Sequence, residues 1–229
     1  MQCLILAGGL ATRLRPITKN IPKGMLPVNG KPFIEYQIKL LKKFKITEIV
    51  LCIGHKGEMI ENHFKDGSEL GVNIQYSREE SLLGTGGAIR NAFDLLEEKF
   101  IILYGDAYLN VDYQKIIKYS EEIDSKALLT IYNNENKFDK SNVKFIDNKF
   151  VLYDKDKPDS DMKYIDYGMS ILSKSIIDKY IPLNEVYDLA DCYNQLSIKK
   201  ELAGFEVNER FYEIGSFSGL KEFKKFIES

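Results

Sequence analysis

The stretch that decides the fold lies near the amino terminus, where residues 4–36 read LILAGGLATRLRPITKNIPKGMLPVNGKPFIEY. Its first residues belong to an apolar, β-rich run, for which we predict a strand over residues 2–7. Gly8 and Gly9 follow at once, so the backbone can come close to a ligand and free amides can face an anion. Their spacing matches neither the Walker A loop nor the GxGxxG dinucleotide fingerprint. The stretch therefore predicts an anion-binding loop after the first strand, outside both of those motif classes.

Two basic residues follow the glycines on the same connection. Arg13 offers a fixed fork of donors and Lys23 a mobile ammonium, and both can reach the oxygens of a triphosphate. Taken singly, each is typical of a solvated surface residue. Their joint position behind a glycine loop favours phosphoryl chemistry.

The first half of the chain alternates short apolar runs with amphipathic segments, the pattern of βαβ units. We predict strands over residues 2–7, 49–53, 73–77 and 100–104, and helices over residues 31–44, 57–64 and 86–96. The fold class is α/β, a Rossmann-like and mostly parallel sheet flanked by helices. Asp106 follows the strand at 100–104, at the end where open α/β sheets bind ligands.

The second half of the chain is richer in strands. We predict strands over residues 127–132, 142–145, 150–153 and 163–172, with short helices over residues 175–180, 189–199 and 218–227. Turn-forming clusters such as Asp147-Asn148 interrupt them. We expect one compact domain over residues 1–229, with this half forming a subregion that covers the substrate.

Composition excludes several classes of protein. The 229 residues are 44% hydrophobic, enough for one sizeable core, and 32 basic residues against 34 acidic ones leave a net charge of -2. No broad basic field for nucleic acid is indicated. Cys3, Cys52 and Cys192 lie far apart, which indicates neither a disulfide framework nor a zinc site. With no signal peptide and no run long enough to span a bilayer, we expect a cytoplasmic, soluble protein.

The quoted stretch resembles GGxGTRLxPxTxxxPKxxxPVxxKPxxxY, the signature of the sugar-1-phosphate nucleotidyltransferases. The resemblance implies that the loop holds base and phosphates, that Arg13 grips the triphosphate and that Lys23 assists attack at the α-phosphorus. The loop residues to which it gives nucleotide contacts are Leu6, Ala7, Gly8, Gly9 and Thr12. Two residues depart from the signature, since Ala11 stands in place of glycine and Gly24 in place of proline.

A second motif, SREESLLGTGGA at residues 77–88, resembles the family's other nucleotide-binding segment. The resemblance gives base reading to Glu79 and the packing turn to Gly84 and Thr85. An ionised carboxylate only accepts hydrogen bonds, so it suits the N1–H and N2–H₂ donors of guanine, or one amino donor of cytosine. Glutamate also occurs in an N-acetylmuramate-1-phosphate uridylyltransferase of this family, and the base stays open.

Metal and acceptor residues follow from the same resemblance. Asp106 and Glu213 match its Mg²⁺ positions, and Mg²⁺ takes one or two carboxylates together with substrate phosphates. Glu213 is one methylene longer than the usual aspartate. Asp156 and Lys157 match its EKP element, which binds the sugar phosphate. Tyr167 and Gly168 border the sugar pocket, and Asp166 replaces its asparagine, which leaves the sugar open.

The resemblance implies a Mg²⁺-dependent enzyme that joins a nucleotide monophosphate to a sugar 1-phosphate and releases pyrophosphate. It implies the nucleotide-diphospho-sugar transferase fold, with residues 1–112 mainly binding nucleotide and residues 113–229 mainly binding sugar phosphate. GTP with heptose or mannose 1-phosphate fits best, in the synthesis of a surface glycan, and a homodimer is one possible assembly. Uridylyl, cytidylyl or thymidylyl transfer, a non-sugar acceptor such as phosphocholine, and a non-catalytic nucleotide-sugar sensor are the alternatives.

Overall fold

A computed structural model describes residues 1–9, 14 and 16–228 of the chain. Its strands are β1 Gln2–Leu6, β2 Pro27–Val28, β3 Lys31–Pro32, β4 Glu48–Ile53, β5 Asn73–Arg78, β6 Lys99–Tyr104, β7 Ala107–Leu109, β8 Ala127–Asn133, β9 Val143–Ile146, β10 Phe150–Tyr153, β11 Tyr164–Ser173, β12 Ala203–Val207 and β13 Phe211–Glu213. Its α-helices are α1 Phe33–Lys43, α2 Gly57–Phe64, α3 Gly84–Asn91, α4 Tyr113–Glu122, α5 Lys174–Tyr180, α6 Leu189–Ile198 and α7 Phe217–Glu228.

Most of the strands form one mixed sheet with the order β5-β4-β1-β6-β11-β8-β12-β10-β9. Strands β5, β4, β1 and β6 are parallel, as expected of βαβ units. Strand β11 then runs antiparallel to both β6 and β8. The predicted α/β fold is confirmed, and its parallel part lies mainly in the first half of the chain.

The central parallel strands β1, β4 and β6 are apolar on both faces, as expected where helices cover both sides of a sheet. On β1, Leu4 packs in one core cluster with residues of α3, and Ile5 packs in a second cluster with residues of α1. Both side chains are fully buried. This burial holds the carboxyl ends of β1 and β6 next to each other, with Leu6 paired to Tyr104.

The sequence prediction missed helix α4 and the strands β2, β3, β7, β12 and β13. A signal for α4 was present, since the Asp112 side chain caps it by accepting from the backbone N–H of Lys115 at 3.1 Å. The small antiparallel pair β7–β13 sets Glu213 opposite Ala107. It therefore brings residues that are about 100 positions apart in sequence to the same edge of the main sheet.

The carboxyl-terminal helix α7 packs back on the first half of the chain. Phe223 is fully buried, and its ring centroid lies 4.9 Å from that of Phe33, 5.7 Å from that of Tyr36 and 5.0 Å from that of Tyr108. These aromatic contacts join α7 to α1 and β7. They fix the position of β13, which directly precedes α7.

None of the helices in the described part of the chain has the length and apolar character needed to cross a membrane.

Candidate active site

A pocket of about 360 Å³ opens at the carboxyl ends of β1 and β6, beside the start of α3. Every predicted nucleotide-binding residue that the structure describes lines this pocket. These residues are Leu6, Ala7, Gly8, Gly9, Glu79, Gly84 and Thr85. The predicted residues Thr12 and Arg13, together with the departure at Ala11, lie outside the described residues. We call this cavity the nucleotide pocket.

Glu79 lies against the glycine loop. A Cβ atom on Gly8 would overlap the Glu79 Oε1 atom, so the glycine leaves the space that this carboxylate occupies. Its other oxygen, Oε2, accepts a hydrogen bond of 3.1 Å from the backbone N–H of Leu83. Burial raises the pKa of Glu79, and the Leu83 hydrogen bond partly opposes that rise. One carboxylate oxygen is thus held by the protein backbone.

The glycines at the start of α3 serve packing rather than anion binding. The backbone N–H groups of Gly86 and Gly87 both donate to the carbonyl of Tyr187, at 2.9 and 3.1 Å. Gly84 has a φ of +74°, and a Cβ atom there would lie 2.6 Å from the same carbonyl oxygen. The Thr85 hydroxyl donates to Asp188 at 2.8 Å and accepts from the Leu189 N–H. The turn therefore binds the segment before α6 to the nucleotide pocket.

The two predicted metal ligands, Asp106 and Glu213, lie on neighbouring segments of the chain. The pair β7–β13 and a 2.9 Å hydrogen bond from the Ile214 N–H to the Asp106 carbonyl bring the two segments together. An added Cβ atom on Gly215 would lie 2.8 Å from Glu213 Oε2 and 3.3 Å from Lys23 Nζ. The glycine thus keeps open a space between groups of opposite charge.

Lys23 forms an ion pair with Asp106 Oδ2. No cluster of three or more His, Cys, Asp or Glu side chains that could hold a metal occurs among residues 1–9, 14 and 16–228. Two carboxylates beside the nucleotide pocket nevertheless fit Mg²⁺, which takes one or two carboxylates together with water and substrate phosphates. Asp106 and Glu213 are therefore a suitable donor set, provided that Lys23 releases Asp106.

A second, larger pocket of about 690 Å³ adjoins the first and shares Tyr104 and Asp106 with it. The predicted residues Tyr167, Gly168 and Glu213 line this cavity, which we call the acceptor pocket. Gly168 has a φ of +100°, and its N–H donates to Asp166 Oδ1 at 2.8 Å. Burial raises the pKa of Asp166 to about 6, against the effects of that hydrogen bond and of the Lys155 charge.

Asp156 and Lys157 do not line the acceptor pocket. They line a neighbouring hollow, where their backbone N–H groups donate to the Asp154 carboxylate at 3.0 and 2.8 Å. Lys155 lines both the hollow and the acceptor pocket. The run DKDKP at residues 154–158 holds two lysines, and sequence alone did not show which one faces the pocket.

Arg210 is another residue of the acceptor pocket that the sequence did not single out. Its guanidinium lies 4.8 Å from the ring centroid of Phe138 and 5.2 Å from that of Tyr212, and it pairs with Glu222. Stacking of this kind fixes a guanidinium in place. Sequence gave no signal for it because Phe138 is distant along the chain.

Two pockets that meet at one carboxylate, beside a glycine loop at the edge of an α/β sheet, are the arrangement expected of an enzyme that joins a nucleotide to a second substrate. A model of the family described as nucleotidyl transferase matches residues 2–229, and the chain belongs to that family. This match confirms the resemblance to the nucleotidyltransferases that the glycine loop and its neighbouring residues indicate.

Individual relatives agree with this assignment. The chain is 34% identical to a D-glycero-α-D-manno-heptose 1-phosphate guanylyltransferase of Campylobacter jejuni, over 94% of this chain and 95% of that protein. It is 31% identical to a UTP–glucose-1-phosphate uridylyltransferase of Synechocystis, over 92% of this chain and 58% of that protein. The crystal structure of HddC from Yersinia pseudotuberculosis complexed with GMP-PN superimposes with a TM-score of 0.78 at 26% identity, covering 99% of both chains.

Proposed function

We propose that this protein transfers GMP from GTP to a heptose or mannose 1-phosphate, forming a GDP-sugar and releasing pyrophosphate. The observation that carries the proposal is the meeting of two pockets at Asp106, with a carboxylate available to read a base in one of them. The near full-length similarity to a heptose 1-phosphate guanylyltransferase supports guanine and this acceptor class. A role in surface-glycan synthesis, a cytoplasmic location and a homodimer remain predictions.

Glu79 favours guanine for a reason of hydrogen bonding. Its Oε2 atom already accepts from the Leu83 N–H, which orients the carboxylate. Oε1 and the remaining lone pair of Oε2 can accept from guanine N1–H and N2–H₂, whereas the uracil edge would oppose a carbonyl oxygen to the carboxylate. The glycine at position 8 leaves room for this carboxylate beside the loop.

In the proposed mechanism, an oxygen of the sugar phosphate attacks the α-phosphorus in line. The new P–O bond forms as the bond to the β-phosphate breaks, and its electron pair leaves with pyrophosphate. Asp106 and Glu213 would hold Mg²⁺, which when bound offsets charge on the phosphate oxygens. The shared position of Asp106 sets this carboxylate where donor and acceptor meet.

Lys23 has two states in this scheme. Without substrates its ammonium neutralises Asp106. With Asp106 holding Mg²⁺, Lys23 would be free to donate to the α-phosphate and to stabilise the charge that develops there. Arg13 would grip the triphosphate. Asp156 and Lys157 would bind the sugar phosphate according to the family pattern, with Tyr167 and Gly168 forming the pocket wall.

Uridylyl transfer is the second candidate, because a uridylyltransferase is among the relatives. It is less favoured, since that protein is matched over only 58% of its length and a glutamate suits uracil poorly. Cytidylyl and thymidylyl transfer, and a phosphocholine acceptor, have no similar support from the relatives described above. A non-catalytic sensor would leave the placement of Lys23, Asp106 and Glu213 around one point without a purpose.

The test is a substrate matrix. GTP, CTP, UTP, dTTP and ATP are each combined with heptose, mannose, glucose and N-acetylglucosamine 1-phosphates and with phosphocholine, and pyrophosphate release is followed with and without Mg²⁺. We expect GTP with heptose or mannose 1-phosphate to give the highest kcat/KM. A higher kcat/KM with another base would overturn the guanine assignment, and no turnover with any sugar 1-phosphate would overturn the acceptor class.

A further inference from the structure

We propose that Gln37 is a positioning residue, whose side-chain amide holds the turn between β6 and β7 so that the Asp106 carboxylate stays at the point shared by the two pockets. This inference rests on the proposed function, because it concerns the carboxylate at which the two substrates would meet. Gln37 lies on α1 and lines neither pocket. Any effect that it has on transfer must therefore pass through the turn.

Gln37 is a polar side chain on the buried, apolar face of α1. It is 2% exposed, and Ile34, Ile38 and Leu41 around it on the helix are fully buried. Burial of an amide costs free energy unless its polar atoms are hydrogen-bonded. The Gln37 Oε1 atom is buried and has no hydrogen-bond partner among the described residues. An apolar side chain would pack here without that cost, so packing alone does not account for the amide.

The hydrogen bonds of the amide nitrogen do account for it. Nε2 of Gln37 donates to the Tyr104 carbonyl at 2.9 Å and to the Ala107 carbonyl at 2.6 Å. These carbonyls lie on the two sides of Gly105 and Asp106, the turn that follows β6. An amide nitrogen has two N–H donors and a carbonyl only accepts, so this placement uses both donors and fixes which end of the amide faces the turn. Gln37 therefore ties the start and the end of the turn to α1.

The middle of the turn is held by backbone groups. The Gly105 N–H donates to the Leu6 carbonyl at 2.9 Å, and the Asp106 carbonyl accepts from the Ile214 N–H at 2.9 Å. A Cβ atom on Gly105 would lie 2.7 Å from the same Leu6 oxygen, so the turn lies tight against the end of β1. Because its backbone is anchored on both sides, Asp106 keeps only its side-chain torsions for adjusting the carboxylate.

Helix α1 also supports the partner of that carboxylate. Lys23 forms the ion pair with Asp106, and the next residue, Gly24, packs directly against Ile34, one turn before Gln37 on α1. The positions of the cation and the anion are thus both set relative to the same helix. Displacement of a reacting group by about 1 Å is enough to slow a reaction by about 100-fold. Loss of the Gln37 amide should therefore affect turnover more than substrate binding.

The first measurement needs no substrate. Gln37→Met keeps the length and the unbranched shape of the side chain but removes both donors, and Leu41→Ala is the control, a core truncation one turn further along α1. Hydrogen exchange of the Gly105 and Ile214 N–H groups is followed by NMR and expressed relative to amides in the middle of β6. We expect this relative rate to rise by about 10-fold or more in Gln37→Met, because the turn opens locally, and to stay unchanged in Leu41→Ala.

The second measurement is steady-state kinetics with the preferred pair from the substrate matrix. We expect Gln37→Met to lower kcat by about 10- to 100-fold and to raise the Mg²⁺ concentration needed for the half-maximal rate, with KM for GTP changed less than about threefold. Leu41→Ala should lower the urea midpoint of unfolding while kcat stays near that of the wild type.

A third variant, Gln37→Glu, tests the donor directly. A neutral carboxyl group offers one O–H to the turn, whereas a carboxylate offers no donor and opposes the two carbonyls. Burial favours the neutral form, which is lost as pH rises. We expect kcat of Gln37→Glu, divided by that of the wild type at each pH, to fall between about pH 6 and about pH 9, whereas this ratio should stay constant for Gln37→Met.

An unchanged relative exchange rate in Gln37→Met, or a loss of kcat that Leu41→Ala reproduces, would overturn the inference and leave Gln37 a packing residue. A Gln37→Glu variant that is no more active than Gln37→Met at the lowest pH would do the same. Failure of the proposed function is distinguishable from these results. A wild-type protein that turns over no sugar 1-phosphate would reject that function, while the exchange rates would still decide whether Gln37 holds the turn.

Discussion

At the scale of single residues, the site depends on one carboxylate that both pockets share. Asp106 lines the nucleotide and acceptor pockets and pairs with Lys23. We expect Asp106→Asn to lower Mg²⁺-dependent kcat by at least about 100-fold, because it weakens a metal ligand at the point of transfer. Pyrophosphate release across a Mg²⁺ titration measures this, with circular dichroism to check the fold. The exposed Asp94→Asn is the control, and near-normal turnover in Asp106→Asn would remove this carboxylate from catalysis.

Glu79 provides a test of base reading. Since the Leu83 N–H needs an acceptor, Glu79→Gln should direct its amide oxygen to Leu83 and its NH₂ group towards the base. That group would oppose the guanine donors and suit a uracil carbonyl. We expect the ratio of kcat/KM for GTP to that for UTP to fall by roughly 10- to 100-fold. Competing-nucleotide assays measure it, with the adjacent exposed Glu80→Gln as control, and an unchanged ratio would exclude Glu79 as the base reader.

Asp166 links the acceptor pocket to pH. Its pKa is raised by burial to about 6, against the opposing effects of the Gly168 N–H and the Lys155 charge. The folded protein therefore holds this proton to higher pH than the unfolded chain. Stability is lost as pH rises from about 4 to 6, and the full cost of the ionised group is present above pH 6.

We therefore expect Asp166→Asn to be more stabilising at pH 8 than at pH 4 relative to the wild type. The difference between the two pH values should be roughly 1–3 kcal/mol in the free energy of unfolding. Urea unfolding at a series of pH values measures it, and subtraction of the wild-type curve cancels other titrations. A difference that does not vary with pH would contradict the burial of this charge.

At the scale of elements, Gly24, which stands in place of the proline of the family signature, packs against a side chain of α1. Gly24 is buried in the short 3₁₀ turn Lys23–Met25, and a Cβ atom there would overlap the Ile34 side chain, which is also buried. A larger residue at position 24 must displace Ile34. Because Lys23 lies on the same turn, the packing against α1 also sets the position of this catalytic candidate.

We expect Gly24→Ala to destabilise the protein by about 1–3 kcal/mol, as overpacking does. Ile34→Val removes the methyl group nearest to the added carbon and should recover part of that loss, with a coupling free energy of about 0.5 kcal/mol or more. Urea unfolding of the four proteins of this double-mutant cycle measures the coupling. Ile38→Val, one turn further along α1, should be additive with Gly24→Ala, and additivity of Ile34→Val as well would contradict the packing argument.

The bounds of the helices and strands show which of them the sequence could predict. The sequence prediction gave α2 and β10 with the bounds that the structure has, and each buries a regular pattern of side chains. The short strands β7 and β13 were missed, since three residues carry no periodicity and their pairing is set by tertiary contact. That pairing sets Glu213 opposite Ala107. The family pattern supplied Glu213 as a candidate, but periodicity could not give the location of its partner strand.

Site prediction met a similar limit. Gly8, Gly9 and Glu79 belong to continuous motifs, and the structure places them in one pocket. Lys155 and Arg210 were not found, because their places depend on Asp188 and on the ring of Phe138, contacts made over long sequence distances. A motif can fix which chemistry is present while the orientation of neighbouring lysines depends on the fold around them.

At the scale of the whole molecule, the two predicted parts, residues 1–112 and residues 113–229, share one sheet and one core. Strand β11 from the second half lies between β6 and β8 in the main sheet. Strand β13 pairs with β7, and Tyr187 binds the turn at the start of α3. Phe223 of α7 packs against Phe33 of α1. Residues 1–112 would therefore lose a sheet neighbour and part of the core if they stood alone.

We predict from this sharing that residues 1–229 unfold as one cooperative unit, which the buried thiols can test. Cys3 and Cys52 lie in the first half and Cys192 in the second, and all three are free and buried. Labelling with a thiol reagent across a urea series, read for each cysteine by mass spectrometry, should give a single midpoint, because opening either half breaks the common sheet. Phe223→Ala, expected to cost about 3–5 kcal/mol, should lower the three midpoints together. Labelling of Cys192 at lower urea than Cys3 and Cys52, or a fragment of residues 1–112 that folds by circular dichroism, would show two separable domains.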